Sequence, residues 1–394
     1  MRLALPLLVS LVIACGRDPR PDVLLIVLDT VRADHLSVYG YGRETTPGLA
    51  DLARDAVIYR NAISPGTWTA PSHASLFTGL APAEHGVHHG KTPAGQGIFA
   101  LDPSVPTLTA RLREAGYRTA AFVGNEGFLD PSFGFARDFE EYRLRSMHKV
   151  TTLATTVRAW LRRRRGRSVF VFLNVFDAHE PYEPPAPYDR MFPGRLEKPP
   201  ERHPGDRAAV QGVLPDTSAT AHYISQYDGD VRHMDDELRR IVQALRETGR
   251  YDNALVVVTA DHGELFGEAG RWGHGGDPMR SLVHVPLIVK YPQGVRRGAE
   301  ERPVSLMDIP ATILAVLGLP PLGANQVPLW EHTGPAIAEQ VAIDGMMTRA
   351  VYDVDGSERI ERAPAPPPMH QGPLVVPEAE RRLADRLRAL GYAR

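Results

Sequence analysis

The chain has 394 residues, 43% of them apolar and 23% charged, a balance that suits one large or two moderate globular domains and excludes a disordered, collagenous or polytopic membrane protein. Its 45 Lys and Arg against 47 Asp and Glu give a formal charge of -2, so there is no general field for holding nucleic acid and any anionic substrate must be recognised locally. The single cysteine, Cys15, rules out an intramolecular disulfide framework and every Cys-rich zinc module.

Behind Met1-Arg2, residues Leu3 to Ala14 form one apolar run. It is too short for a stable membrane-spanning helix and fits the hydrophobic part of a signal peptide. The tetrapeptide Val12-Ile13-Ala14-Cys15 is similar to a bacterial lipobox, in which the cysteine is lipidated and becomes the first mature residue. Residues 1–15 are therefore expected to be a lipoprotein signal peptide. The mature protein is expected to be exported and held at the cell envelope by a lipid anchor on Cys15, as an outer-membrane or cell-surface lipoprotein of a bacterium, because Gly16 rather than Asp follows the cysteine. An ordinary secretory signal with an incidental cysteine is the plainer alternative.

From Asp22 the pattern alternates strands with helices. Val23 to Leu28 is an unbroken apolar, β-rich run, as in a strand buried on both faces. Thr46-Pro47 opens a helix, and a second is expected from Ser104 to Gly116. Further strands are expected at Arg118 to Val123, Ser168 to Asn174, Ala254 to Thr259 and His284 to Lys290, with the longest helix at Ser218 to Arg246. The arginines between Arg158 and Arg167 fall at a helix C-terminus, where cations are favoured; a solvated face is the plain reading and contact with an anionic surface the other. After Pro310 a helix closes the large domain. The expected fold is α/β, a large mostly parallel sheet sandwiched by helices, spanning residues 22–335. Residues 336–394 read as a small appendix: a short strand pair around Asp344 and Val354, a Pro-rich linker at Pro364 to Pro368, and a terminal helix from Glu378 to Leu390.

In open α/β sheets ligands bind beyond the carboxyl ends of the strands. Three expected strands end in similar chemistry: Leu28 is followed by Asp29, Asn174 by Asp177 and His179, and Thr259 by Asp261 and His262. One rim would gather Asp29, Asp261 and His262, two carboxylates and an imidazole suited to a divalent cation such as Ca, Zn or Mn. Thr67 and Thr69 stand just before Pro71, which marks a helix start where an oxyanion is favoured. A threonine hydroxyl becomes a nucleophile only with a metal or base beside it; without one, this stretch is a plain helix cap. Asp177 is a candidate to orient His179 or meet substrate, with a loop carboxylate the bland reading. His85, His88 and His89 either line the pocket or lie on a surface loop, and His35 is expected on a helix face.

The blocks PDVLLIVLDTVRADHLSVYGYGRETTPGLADLA, TAPSHASLFTGLAPAEHGV, FLNVFDAHEPYEPP, VVVTADHGELFGEAGRWGHGG, HVPLIVKYP and VSLMDIPATILAVLGLP, in that order from about Asp22 to Pro320, resemble the sulfatase family of the alkaline phosphatase superfamily. The resemblance implies an ester hydrolase in which Asp29, Asp261, His262 and Thr69 match metal ligands, Thr69 matches the nucleophile, and His179 matches a histidine that contacts the ester and assists the leaving group. His73 and His274 match positions near the transferred group, His274 being alternatively a ligand to a second metal.

The departures matter equally. The family's nucleophile motif, Cys-x-Pro-Ser-Arg, carries a cysteine or serine that becomes formylglycine, whereas this chain has Thr69-Ala70-Pro71-Ser72-His73. Oxidation of threonine would give a ketone, so no formylglycine is expected. The usual second aspartate is Thr30, and the lysine of a Gly-Lys-Trp block is replaced by the stretch Ala121 to Asn125. The resemblance thus implies a hydrolase of phosphoric or sulfuric esters, on a small-molecule, glycan or lipid substrate. The alternatives are a phosphoryl-group transferase on an envelope substrate and a non-catalytic, glycan-binding surface lipoprotein.

Overall fold

A computed structural model of the protein describes residues 20–92, 95–144, 149–163, 166–198 and 216–375; Cys15 and the expected terminal helix lie outside them. The core is one eight-stranded sheet made of β1 (Val23–Leu28), β2 (Val57–Ile63), β3 (Arg118–Val123), β4 (Glu141–Leu144), β5 (Val169–Val175), β6 (Leu255–Thr259), β7 (His284–Lys290) and β8 (Gly298–Ser305), in spatial order β8-β2-β7-β6-β1-β5-β3-β4. β7 runs antiparallel to β2 and β6, while every other pairing is parallel.

The central strands behave as their sequences demand. β1, β5 and β6 are buried at every position, which is why they read as continuous apolar runs. Helices cover both faces. The principal ones are α1 (Pro47–Ala53), α2 (Thr69–Thr78), α3 (Leu108–Glu114), α4 (Val150–Arg163), α5 (Thr217–Glu247) and α6 (Ile309–Val316). Phe77 of α2 meets Phe172 on one face of the sheet at a ring separation of 5.0 Å, and Trp160 of α4 meets Phe122 on the other at 6.0 Å. Phe122 pairs with Leu173, the neighbour of Phe172, so the two aromatic contacts are on opposite faces by pleat alternation.

Several expected boundaries move. The helix expected from Ser104 starts only at Leu108, because Thr107 caps it by accepting from the Ala110 amide at 3.1 Å. α2 begins at Thr69, two residues before Pro71. The appendix contains three antiparallel strands, β9 (Ala336–Val341), β10 (Met346–Tyr352) and β11 (Glu358–Pro364); Asp344 and Val354 occupy the connecting turns rather than strands. This small sheet packs Ala336, Ala338, Ala350 and Tyr352 against Ile63, Leu282 and Val283, beside the carboxyl end of β2. Among the described residues no helix is long and apolar enough to cross a membrane.

Candidate active site

The carboxyl ends of β1, β3, β5 and β6 form one rim, and the N-terminus of α2 enters it after β2. Asp29 follows β1 directly, its amide donating to Val175 O at 2.8 Å and so continuing the pairing with β5. Asp261 and His262 follow β6. Asp29, Asp261 and His262 each offer one ligand atom, and those atoms lie within 4.8 Å of one another, all buried. Thr69 joins them: its Oγ1 is 3.4 Å from His262 Nε2 and 3.4 Å from Asn125 Nδ2. The four residues that the sequence pointed to therefore converge.

Each is oriented by the backbone around it. His262 Nδ1 donates to Gly263 O at 2.9 Å, which turns Nε2 toward Thr69 and the carboxylates. Gly263 is held close by a 2.7 Å bond from its amide to Leu282 O, and a Cβ on it would lie 2.1 Å from Ser281 O. Asp261 Oδ1 accepts from the amides of His262 (3.0 Å) and Thr30 (3.2 Å). Thr69, at the first helical position, keeps the uncapped amides of α2 beside the site, since the preceding Trp68 has no side-chain cap to offer.

The donor set fits a divalent cation. Asp29 Oδ1 and Asp261 Oδ2 are buried without a hydrogen-bond partner, and an unpaired charge in such a place is costly. Burial, and then Asp261, push Asp29 up to about 7; burial does the same to Asp261, also to about 7. Burial pushes His262 down to about 4, so its ring is neutral at pH 7 and able to ligate. Two oxygens lacking donors, a neutral imidazole and a hydroxyl together make a cation-binding set.

Beyond this cluster the rim continues as a row of imidazoles. The ring of His274 lies 4.5 Å from that of His262 and 5.0 Å from that of His179, and His274 Nδ1 bonds Glu264 Oε1 at 3.0 Å. His179 stacks on Phe176 at 4.4 Å and its Nδ1 donates to Glu180 O at 2.7 Å. Both histidines, expected beside the ester, are thus at the site.

Other expectations need correction. Asp177 does not face His179: its carboxylate accepts from the Val150 amide at 2.9 and 3.1 Å, capping α4, and lies 3.5 Å from His233 Nδ1. A helix start whose first amides lack intrahelical partners draws a nearby carboxylate. His73 lies beneath the site, donating from Nδ1 to Thr69 O at 2.9 Å and meeting Phe172 edge-on; burial pushes it down to about 3, so it is neutral and brings no positive charge to a substrate. Thr30, which stands where the family has its second aspartate, is at φ 61 and donates its hydroxyl to backbone oxygens, 2.7 Å from Asp29 O and 2.8 Å from Ala178 O. His85 is buried against Ser75, while His89 stacks on Trp68 at 4.5 Å, next to Thr69. His35 pairs with Asp228 in the interior.

Sequence reasoning missed three residues as participants. Asn125 Nδ2 donates to Asp29 Oδ2 at 2.9 Å while its Oδ1 accepts from the amides of Gly127 and Phe128, both at 3.1 Å, which fixes the amide's orientation. Asn174, the penultimate residue of β5, donates to the same Asp29 oxygen at 3.2 Å. Glu264 holds His274 and also accepts from Tyr182 OH at 3.0 Å. The available signals were small: Asn125 fell in the stretch where a lysine was missing, Asn174 was polar at an apolar strand's end, and Glu264 stood three positions after Asp261.

The fold and this rim define an α/β ester hydrolase of the alkaline phosphatase superfamily. The sulfatase family model matches residues 21–319, and the chain belongs to that family. It is 26% identical over 385 residues to the multifunctional alkaline phosphatase superfamily protein PehA of Trinickia caryophylli, covering 76% of this chain and 74% of that one. To the N-sulphoglucosamine sulphohydrolase of Homo sapiens it is 27% identical over 332 residues, 78% of this chain and 62% of the relative. In fold it is similar to the phosphonate monoester hydrolase SpPMH of Silicibacter pomeroyi (TM-score 0.69, 21% identity, 94% of both chains) and to that of Agrobacterium radiobacter (TM-score 0.68, 20% identity, 95% of both). Enzymes of this superfamily generally use a divalent metal.

Proposed function

We propose that the protein is a metal-dependent hydrolase of phosphoric or phosphonic esters, with sulfuric esters as the second class, in which Thr69 is the nucleophile. The observation that carries this reading is the meeting of the Thr69 hydroxyl, at 3.4 Å, with His262 Nε2 beside two carboxylate oxygens that lack donors. Asp29, Asp261, His262 and Thr69 would hold the cation, with Ca, Zn and Mn as its candidates. When bound there, a divalent cation lowers the pKa of the threonine hydroxyl and neutralises a non-bridging ester oxygen.

The chain's own groups do the rest. Asn125 ties Asp29 to Thr69 and sets the direction in which Oγ1 faces. The free amides of the first turn of α2 favour the negative oxygens of the transferred group. Thr69 Oγ, its proton already released to solvent on ionisation, forms a bond to phosphorus as the bond to the leaving oxygen breaks in line, and the leaving oxygen takes a proton from the His179 imidazolium. With Nδ1 committed to Glu180 O, Nε2 is the nitrogen that exchanges it. Water then attacks phosphorus, one of its protons returns to the imidazole, the bond from phosphorus to Thr69 Oγ breaks, and phosphate or phosphonate leaves with the Thr69 alkoxide restored. The named relatives include a sulphohydrolase and phosphonate monoester hydrolases; threonine favours the phosphorus chemistry, since a threonine sulfate lacks the expulsion route open to a formylglycine hydrate. Residues 22–335 form the catalytic domain in this reading, and residues 336–394 its appendix.

The test measures turnover of an aryl phosphate diester, a phosphonate monoester, a phosphate monoester and an aryl sulfate by wild type and Thr69→Ala with Ca, Zn and Mn. Phosphorus ester turnover should fall by about 10³ or more in the variant, the scale of losing a nucleophile. Sulfate turnover that persists in Thr69→Ala would overturn the assignment.

A further inference from the structure

The chain enters the sheet at the amino end of β1, opposite the active-site rim. Pro21 O accepts from Tyr117 OH at 3.0 Å, Arg20 O from Ser168 Oγ at 2.7 Å, and Asp22 from Arg250 at 2.7 Å. These contacts join the entering segment to the loops that precede β3, β5 and β6. The loop between β7 and β8 belongs to the same pole, since the Gln293 amide donates to Asp252 O at 2.7 Å. This surface has a distinct chemistry. Val295, 72% exposed, is the most exposed of the large apolar residues described, and Arg296 and Arg297 follow it. Across the pole stand the exposed Arg162, Arg163 and Arg167, the described part of an arginine run that also includes Arg164 and Arg165 in the sequence. Three acids offset part of the charge: Glu247 pairs with Arg162 at 2.8 Å, Glu140 with Arg167 at 3.4 Å and Asp55 with Arg297 at 3.5 Å. Among the described residues Arg163 and Arg296 carry no ion pair.

We infer that this amino-end pole is a membrane-facing surface that takes anionic lipid headgroups on its arginines and the interfacial layer on Val295, so that the active site opens away from the bilayer. The placement of the tether rests on the reading of Cys15 as a lipid attachment site. Arg20 is five positions beyond Cys15, a reach of about 18 Å at full stretch, against a domain roughly 50 Å across. An anchor on Cys15 therefore brings this pole, and not the catalytic rim, to the headgroups. Cations within a Debye length of roughly 8 Å of an anionic surface are drawn to it, and an apolar tip flanked by arginines suits the boundary between headgroup and acyl chain. Neither the near-neutral whole chain nor the catalytic rim accounts for arginines gathered here.

The experiment uses the full chain in vesicles of phosphatidylcholine with or without phosphatidylglycerol. An environment-sensitive fluorophore is placed on a cysteine replacing Val295, or on one replacing Val354 in a turn of the small sheet beside the carboxyl ends. Quenching by headgroup-level spin-labelled lipid should be at least threefold stronger for Val295→Cys, and Arg162→Glu, Arg163→Glu and Arg296→Glu together should cut it severalfold in phosphatidylglycerol vesicles. Equal quenching at both positions, stronger quenching at Val354, or indifference to the charge reversal overturns the proposal. Turnover of a soluble ester, expected unchanged, shows that the variants are folded. Mass analysis of the N-terminal peptide tests the anchor separately: an unmodified Cys15 defeats that reading alone, and the contrast between labels on phosphatidylglycerol vesicles still decides the face.

Discussion

Asn125 has its amide pinned from both ends. Its oxygen accepts two backbone N–H groups, so its nitrogen has no choice but to face Asp29 and Thr69. A positively charged lysine here would stabilise an ionised nucleophile directly; a neutral amide only orients it and satisfies one oxygen of Asp29. That makes Asn125 a positioning residue, acting through its two neighbours. Asn125→Ala is expected to lower kcat by roughly 10² while leaving KM within a few fold, the scale of removing one well-placed donor from an active site. Asn125→Asp, which adds a third carboxylate beside Asp29 and Asp261, should be worse than the alanine at neutral pH. A variant whose KM rises while kcat holds would instead place Asn125 at the substrate.

Among the elements, α4 owes its start to a residue that sequence order had assigned to chemistry. Asp177 sits two positions before His179, but its carboxylate bonds the first amide of α4. Removing such a cap costs about 1–2 kcal/mol, so Asp177→Ala should lower the denaturant midpoint and change KM little; a KM increase of tenfold or more would return Asp177 to the substrate. The same contrast explains how much was legible. β1, β5 and β6 are buried on both faces, so apolar runs declared them and the polar residues at their ends declared most of the site. β2 and β8 escaped notice because their sequences, VIYRNAI and GAEERPVS, are only partly buried and carry charges, as suits strands toward a sheet edge. The site residues that escaped, Asn125, Asn174 and Glu264, act by bonding to other side chains. Such partnerships depend on which strands become neighbours, and local pattern does not encode that.

At the scale of the whole molecule, the sheet divides the labour between its ends. The amino ends gather the arginines and the entering chain, and the carboxyl ends gather acids and imidazoles drawn from residues 29 to 274. Gathering two buried carboxylates, each with one oxygen that lacks a donor, is unfavourable to folding unless a cation or protons join them. In the cation-free protein burial pushes Asp29 and Asp261 up from the ordinary 3.8 to about 7, so between those values the folded state holds protons that the unfolded chain has already released. The stability this gives is fully present below about pH 4 and is lost as pH rises through about 7. A cation must displace those protons, so its affinity rises over the same interval and levels off above it. Chelator-treated protein should therefore show a Tm contribution that declines between pH 5 and pH 8, and adding the divalent cation should raise Tm more at pH 8 than at pH 5. Calorimetric titration in buffers of different ionisation enthalpy should register proton release on binding at pH 6. A cation effect on Tm that is the same at both pH values, with no proton release, would mean that these carboxylates are not where the ion binds.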